Sequence, residues 1–181
     1  MLETLLADAK HYADAGGALR SAGFWAGAAY RLGSWAHGLG STPARLGMLG
    51  AYKAVVLPWQ VVKNVSIPAR TKIGRGLCIH HPFNIVMPPD VVIGDNCTLY
   101  HDVTLGRGPV PGVPKLGNNV TVYAGAKILG GITIGDDVEI GANAVVIRDV
   151  EAGCVVSAPP GRAIPRETML KMRQGRAAND G

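Results

Sequence analysis

The chain has 181 residues, of which 48% are hydrophobic and 17% charged, and its formal net charge is +5. This length suits one main domain with a smaller appendage, and the apolar fraction is sufficient for a sizeable core. Glycine (25) and proline (12) are abundant whereas aromatic residues make up only 6%, which argues against a disordered chain or a helical bundle and favours a fold with many tight corners.

Several classes of protein are disfavoured by what the sequence lacks. The three cysteines, Cys78, Cys97 and Cys154, form no CxxC pair, so neither a zinc site nor a disulfide framework is indicated, and a reducing cytoplasmic setting is expected. The N-terminus lacks the basic and then apolar run of a signal peptide, and no window of about 18 uncharged apolar residues occurs. Basic residues are spread along the chain, so no nucleic-acid partner is expected.

The first 63 residues are predicted to form a small helical cap. Helical spacing of apolar residues covers Leu2–Ala13 and Ala18–Leu39, and Pro43 is expected to open a third helix that Pro58 would end. The apolar end of that third segment is expected to pack against the rest of the protein, with peripheral membrane contact as the lesser alternative. After Pro165, a short helix is predicted over 167–176.

A six-residue repeat dominates residues 64–165. Aliphatic residues recur every sixth position, with two extra residues after the fourth and a longer break after the seventh: Ile67, Ile73, Ile79, Ile85, Ile93, Leu99, Leu105, Leu116, Val122, Ile128, Ile134, Ile140 and Val146. Glycine, asparagine and aspartate follow many of them and tolerate the positive φ angles of corners. Three such units close one coil, and successive coils stack about 4.8 Å apart. The repeat predicts an all-β fold, a parallel β-helix over 64–165, followed by a tail over 166–181.

Counting the repeat places a set of residues on one face. The positions two after Ile79 and its equivalents one, two and three coils later are His81, His101, Ala124 and Ala142. Two histidines followed by two alanines would leave a groove for an extended ligand. The segment Gly106–Lys115 is too long for a corner and is expected to leave the β-helix as a loop over the same region.

Three segments resemble the serine acetyltransferase family: Lys72–His81, Val103–Gly106 and Ala124–Gly130, and Pro160-Gly161-Arg162 is similar to that family's Pro-Ala-Arg ending. The N-terminal stretch Gly23–Leu32 resembles short polysaccharide O-acetyltransferases of the colanic-acid type. The resemblance implies a left-handed β-helix, a homotrimer with active sites between subunits, acetyl-CoA as donor, no metal, and acetyl transfer to a hydroxyl.

The resemblance also assigns roles to individual residues. It implies that His81 is the general base, and histidine suits this role because its pKa lies near neutrality. The full set of candidates comprises His81 and His101 as catalytic residues, His80, Gly106 and Arg107 as acceptor contacts, and Ala124, Ala142, Lys127 and Arg162 as CoA contacts.

Departures from the family bear on the acceptor. His80 replaces the aspartate that holds the serine amine, Ser66 replaces the aspartate that orients the histidine, and Gly112 and Val113 replace an Arg-His pair that holds the serine carboxylate. A buried zwitterion without partners binds badly. The sequence therefore predicts a saccharide hydroxyl as acceptor, in polysaccharide biosynthesis, with a divergent serine O-acetyltransferase as the alternative. Ser66, Asp102 or a backbone carbonyl is left as the group that orients His81.

Two other classes remain open at this point. A metal enzyme of the carbonic-anhydrase type would need three histidines around one ion, but the side chains of the adjacent His80 and His81 are expected to diverge. A catalytically inactive scaffold is the other possibility, because the orienting aspartate is missing.

Overall fold

A computed structural model describes residues 1–13, 16–40 and 42–159. The N-terminal part contains three α-helices: α1 (Leu2–Lys10), α2 (Ala22–His37) and α3 (Thr42–Lys63), with a short 3₁₀ turn over Ala18–Arg20 before α2. The predicted short helix at 167–176 and the candidate Arg162 lie outside the described residues.

Twelve short strands follow the helices. They are β1 (Lys72–Ile73), β2 (Cys78–Ile79), β3 (Val92–Ile93), β4 (Thr98–Leu99), β5 (Thr104–Gly106), β6 (Lys115–Leu116), β7 (Thr121–Val122), β8 (Lys127–Leu129), β9 (Thr133–Ile134), β10 (Glu139–Ile140), β11 (Val145–Val146) and β12 (Val155–Val156). All pairings are parallel, and they build three sheets, β1-β3-β6-β9, β2-β4-β7-β10-β12 and β5-β8-β11. The predicted parallel β-helix is therefore present, with one sheet on each face.

The aliphatic positions of the repeat form the core. On one face, Ile79 pairs with Leu99, Leu99 with Val122, and Val122 with Ile140, and all four side chains are fully buried. A second inward column comes from the small or β-branched residues four positions later, such as Cys97 and Val120. Each fully buried side chain of this size stabilises the fold by roughly 1.5–3 kcal/mol, so stacking of coils supplies the main stabilisation of this region.

One detail of the predicted repeat is wrong. Val86 bridges Ser66 and Thr104, which makes Met87 rather than Ile85 the equivalent of Leu105. The two extra residues are therefore His81 and Pro82, since Asp102 N donates to Phe83 O at 2.8 Å, and they do not lie between Ile85 and Ile93. Spacing alone cannot locate the insertion, because Ile85 and Met87 are both apolar and both buried.

Short polar residues turn the corners. Asn84, Asn96, Asp102, Asn119 and Asp137 all have φ between 52° and 59°. Asparagine and aspartate enter this left-handed region more readily than other residues with a side chain, which explains their recurrence in the repeat.

The helical cap covers the open end of the first coil through side-chain hydrogen bonds to that coil's backbone. The Tyr12 hydroxyl accepts from Ile79 N at 2.7 Å and donates to Ile79 O at 3.3 Å. Asp8 Oδ1 accepts from Leu77 N at 2.8 Å, and Arg31 Nη1 donates to Ile73 O at 2.8 Å. An exposed strand edge has unpaired N–H and C=O groups, and these side chains satisfy them.

An ion pair buried in the cap holds this arrangement. Arg31 Nε lies 2.9 Å from Asp8 Oδ2, and the two side chains are only 7% and 3% exposed. Helix α2, which carries Arg31, packs so closely on the first coil that a Cβ on Gly23 would collide with the carbonyl oxygen of Ile79. The face of α2 toward the coil is thus made mainly of small residues, whereas Trp25 and Trp35 are half exposed.

Pro58 does not end the third helix, which continues to Lys63. A proline removes one hydrogen bond from a helix interior, but the turns on either side keep theirs. The boundary between cap and β-helix at residues 63 and 64 stays a prediction. Across the described ranges, no helix is both long and apolar enough to span a bilayer.

Candidate active site

His81 and His101 lie side by side at the same corner of the β-helix, but they are not register equivalents as the repeat predicts: Asp102 N donates to Phe83 O at 2.8 Å, which makes Phe83 the residue one coil before His101. The ring centroids of the two histidines are 6.1 Å apart, with the ring planes at 73°, and both residues are exposed.

Ile79 pairs with Leu99, and this register continues to His80 and Tyr100. His81 follows directly after the matched residues, which brings its ring beside that of His101. His81 has a φ of 52°, and with Pro82 it forms the two-residue insertion of this coil.

The column continues below the histidines as the sequence predicts. Gly125 N donates to His101 O at 3.1 Å, and Asn143 N donates to Ala124 O at 2.9 Å, which places Ala124 and then Ala142 in the next two coils. Ala124 is half-buried and Ala142 exposed. Methyl side chains leave space along this corner, next to two imidazoles.

His80 begins a stack of rings that the sequence analysis missed. Its ring centroid lies 4.7 Å from that of Tyr100, which in turn lies 5.2 Å from that of Tyr123. The Tyr123 hydroxyl lies 3.3 Å from Glu139 Oε2. A signal was available, because each of the three rings directly follows an aliphatic residue of the repeat in consecutive coils.

Partial burial lowers the pKa of His80, and the neighbouring His81 lowers it further. The Nε2 atom of His80 lies 3.6 Å from the Sγ atom of the buried Cys78, and burial raises the pKa of that thiol. His80 is therefore a neutral side chain near pH 7, where the family has an aspartate, and cannot hold an ammonium group by charge.

Lys127 is engaged at the corner that follows His101. Its Nζ atom donates to the backbone oxygen of Asp102 at 2.5 Å and to Asp102 Oδ1 at 3.0 Å. The Asn84 amide also donates to the Asp102 carboxylate. The hydrogen bond from Lys127 lowers the pKa of Asp102, and this use of the ammonium group competes with the predicted contact to CoA.

Within the described ranges, neither of the side chains predicted to orient His81 forms a hydrogen bond with it. The carboxylate of Asp102 is already taken by Asn84 and Lys127. Ser66 lies in the strand-like bridge to Val86, and within the ranges that the structure describes, no hydrogen bond joins its hydroxyl to His81. An orienting partner for His81 is thus not among the contacts of a single described chain.

The loop after β5 lies at a different corner from the histidines. Gly131 N donates to Val110 O at 3.0 Å, and Gly130 N donates to Gly106 O at 2.8 Å, so the loop packs where β8 turns into β9. His81 and His101 lie where β2 and β4 turn toward the next sheet. The expectation that the loop overhangs the histidines is therefore wrong within one chain, because the full length of β5 separates them.

This placement bears on two candidates. Gly106 ends β5, and Arg107 is exposed on the loop. Neither is brought to the histidine corner of its own chain, so an acceptor contact by either would require the corner of a second copy. Their assignment as acceptor contacts stays a prediction.

No group of three His, Cys, Asp or Glu side chains within the described ranges is arranged to hold a metal ion. His80 stacks on Tyr100 while His81 stacks against His101, so the two adjacent histidines point to different neighbours, as the sequence predicts.

Comparisons with known proteins agree with this architecture. A family model described as bacterial transferase hexapeptide, six repeats, matches residues 114–148. The chain is 45% identical over 109 residues to a serine acetyltransferase of Helicobacter pylori, a match that covers 59% of this chain and 64% of the relative. It is 44% identical over 110 residues to a serine acetyltransferase of Synechococcus elongatus, covering 59% of this chain and 45% of that protein.

Solved structures show the same fold. The crystal structure of serine acetyltransferase in complex with coenzyme A from Brucella abortus superposes with a TM-score of 0.70 at 27% identity, covering 90% of this chain and 66% of that one. A soybean serine acetyltransferase superposes with a TM-score of 0.66 at 28% identity, covering 90% and 68%. The predicted left-handed parallel β-helix is confirmed.

The match spans less than two thirds of the length of the curated relatives. Both relatives are named serine acetyltransferases and neither is a polysaccharide O-acetyltransferase, so the expected likeness to the colanic-acid type receives no support. Residues 114–148 match the model of the hexapeptide-repeat transferases, and the longer aligned stretch is similar to serine acetyltransferases.

Proposed function

We propose that this protein is an acetyl-CoA-dependent O-acetyltransferase in which His81 acts as general base. The observation that carries the proposal is the pair of His81 and His101 above the two alanines, on a fold shared with serine acetyltransferases. His81 would take the proton of the acceptor hydroxyl while the hydroxyl oxygen attacks the carbonyl carbon of the thioester. The carbon–sulfur bond then breaks and the proton held by His81 passes to the sulfur atom, so CoA leaves as the thiol with no acetyl-enzyme intermediate.

L-Serine is the acceptor that the comparisons favour. The curated relatives from Helicobacter pylori and Synechococcus elongatus are named serine acetyltransferases, which supports the alternative of the sequence analysis over its main expectation, a saccharide. We therefore place serine first. CoA would lie along the corner of Ala124 and Ala142, and Arg162 stays a predicted contact.

A saccharide hydroxyl remains a second candidate because of one specific observation. His80 is neutral and stacked on Tyr100, so the position that holds the serine amine in the family bears no negative charge here. Gly112 and Val113 provide no charge for a carboxylate either. A neutral acceptor would need neither group.

Assembly into a homotrimer is part of the proposal. The loop bearing Gly106 and Arg107 lies at a different corner from the histidines of its own chain. A neighbouring copy that placed its loop over His81 would complete the site, in line with the family's active sites between subunits.

The acceptor is tested by measuring CoA release from acetyl-CoA with L-serine and with a panel of neutral sugars. The proposal expects acceptor-dependent release, with L-serine as the better acceptor. Release with sugars alone would transfer the assignment to the second candidate. Tight CoA binding without release in any arm would contradict the acetyltransferase proposal, and absent CoA binding would favour a scaffold.

A further inference from the structure

Helix α3 packs on the rest of the chain with one of its faces. A Cβ on Gly33 of α2 would collide with the ring of Tyr52, and Val56, one turn further along α3, is buried. Residues one turn apart lie on the same side of a helix, so Tyr52 and Val56 mark the inward face of α3. The opposite side is called the outer face below.

The outer face of α3 is exposed but lacks the polar residues of an ordinary solvent-facing helix side. Leu46 and Leu57 are 65% and 58% exposed, and the helical spacing i, i+4, i+7, i+11 joins them to two other exposed residues, Gly50 and Lys53. Lys53 is the only charged residue in this row of four. A helix side that faces water normally carries polar and charged residues, and exposed apolar side chains grouped on one surface indicate an interaction site.

The formal charges in this part of the chain are all positive. Residues 15–89 include eight arginines and lysines and no aspartate or glutamate, whereas the rest of the chain has ten basic and thirteen acidic residues. Within α3, Lys53 lies in the middle of the outer face, and Arg45 and Lys63 lie near the two ends of the helix, all three exposed. The outer face therefore combines exposed leucines with positive charge.

We propose that the outer face of α3 docks on the surface of a lipid bilayer that carries anionic headgroups. Leu46 and Leu57 would enter the boundary between headgroups and acyl chains, while Arg45, Lys53 and Lys63 would contact the headgroups. Long basic side chains bury their stems at such a boundary and keep their charge at the polar level. The helix would lie along the surface, with its inward face still packed on the protein.

A second copy of this chain fits the outer face less well. In a contact with two-fold symmetry, the same surface patch meets itself, so Lys53 and its basic neighbours would face equal charges. Residues 15–89 contain no acidic residue that would offset them. A bilayer with anionic lipids offers both an apolar layer and the opposite charge.

Co-sedimentation of the full-length protein with large vesicles tests the proposal. The vesicles consist of phosphatidylcholine alone or of equal parts of phosphatidylcholine and phosphatidylserine. The protein should bind the mixed vesicles more tightly by about tenfold or more, and added salt should weaken that binding. Absent binding to the mixed vesicles, or equal binding to both kinds, would overturn the proposal.

Leucine variants show whether the outer face makes the contact. Leu46→Ser combined with Leu57→Ser should weaken binding to the mixed vesicles by about tenfold or more, with Tm unchanged because both side chains are exposed. The matched control is Leu2→Ser combined with Leu6→Ser, at side chains of α1 that are 69% and 57% exposed. Equal weakening by the control would overturn the assignment of the contact to α3.

A lysine variant tests the role of charge. Lys53→Gln should weaken binding to the mixed vesicles by about fivefold and leave binding to phosphatidylcholine unchanged. Lys10→Gln, at an exposed lysine in the last turn of α1, should leave both unchanged. Equal effects of the two variants would show a general attraction of a basic protein to anionic vesicles and overturn the docking face.

Light scattering of the protein without vesicles separates a bilayer from a second copy. The Leu46→Ser/Leu57→Ser variant should have the same mass in solution as the wild type. A smaller mass would show that the outer face is an interface between copies and would overturn the bilayer proposal. CoA release to a soluble acceptor should equal that of the wild type in this variant, so the outcome is independent of the proposed acetyl transfer.

Discussion

The β-helix and its helical cap are held together in different ways. In the β-helix, each aliphatic residue stacks on its equivalent one coil away, and backbone hydrogen bonds repeat along the sheets, as between Thr98 N and Val120 O at 2.9 Å. The cap meets the first coil through a few specific side chains: Asp8, Tyr12, Tyr30 and Arg31. Stability in the first region is spread over many equal contacts, and in the second it depends on single residues.

This difference explains why a small cap is joined to a β-helix at all. The first coil has no preceding coil, so its outward backbone groups lack strand partners. The cap supplies side-chain donors and acceptors to those groups. A change to one of these side chains should therefore lower the free energy of unfolding by more than the area that the side chain buries would suggest.

The largest effect is expected for Asp8→Ala. It leaves Arg31 buried without its charge partner and Leu77 N without its acceptor, and breaking a buried ion pair costs about 3–5 kcal/mol. The free energy of unfolding in urea measures the loss. Arg75→Ala is the control, because its pair with Asp95 is exposed and should be worth less than about 1 kcal/mol.

Hydrogen exchange in Asp8→Ala sharpens the comparison. Amides of α1, α2 and the first coil should exchange faster, while β7 to β10 keep their protection. A loss no larger than that of Arg75→Ala, or equal loss of protection in every coil, would contradict the account of the cap.

A smaller effect is expected for Gly23→Ala, compared with Gly27→Ala on the same helix. A Cβ at Gly23 collides with the Ile79 carbonyl, whereas one at Gly27 has its nearest neighbour, Leu77 Cδ2, at 4.0 Å. Overpacking costs about 1–3 kcal/mol, and an alanine with space in a helix gains about 0.5–1 kcal/mol. Thermal unfolding should shift in opposite directions for the two variants, and equal shifts would contradict the close packing of α2 on the coil.

The smallest effect concerns the pH dependence of His80. Its pKa in the folded protein lies below the usual 6.5 because of burial and the nearby His81. As the pH falls below about 6.5, the unfolded chain takes up the proton first, so stability declines until the folded-state pKa is passed. An NMR titration of the ring should show a midpoint below 6.5, and His80→Gln should flatten the decline. A midpoint above 6.5 would contradict the neutral stacked ring.

The sequence predicted the β-helix in detail because its repeat and its packing are the same pattern. Counting correctly placed His101, Ala124 and Ala142 one above the other, since these coils repeat the same register, but His81 reaches this corner as part of the insertion and not as the equivalent of His101. The count did not locate the insertion at His81 and Pro82, because a buried Ile85 suits either register.

The cap and the loop were less predictable. The ion pair of Asp8 with Arg31 joins α1 to α2. The helical periodicity of apolar residues does not predict such a pair. The loop and the histidines are separated because they lie at different corners of the coil. The corner of each can be seen only once the coil is closed, and the spacing along the chain does not show it. The ring stack of His80, Tyr100 and Tyr123 does follow the repeat, and aromatic residues directly after the aliphatic position are the signal to look for.

The central claim, that His81 takes the acceptor's proton, is tested most directly by His81→Ala in a CoA-release assay at saturating acetyl-CoA, with CoA affinity measured separately by calorimetry. A positioned general base contributes about 10²- to 10⁴-fold to the rate, so the account predicts a loss of kcat in that range with CoA affinity unchanged. His11→Ala, an exposed histidine at the end of α1, should retain full activity. A His81→Ala protein that turns over at nearly the wild-type rate would contradict the account.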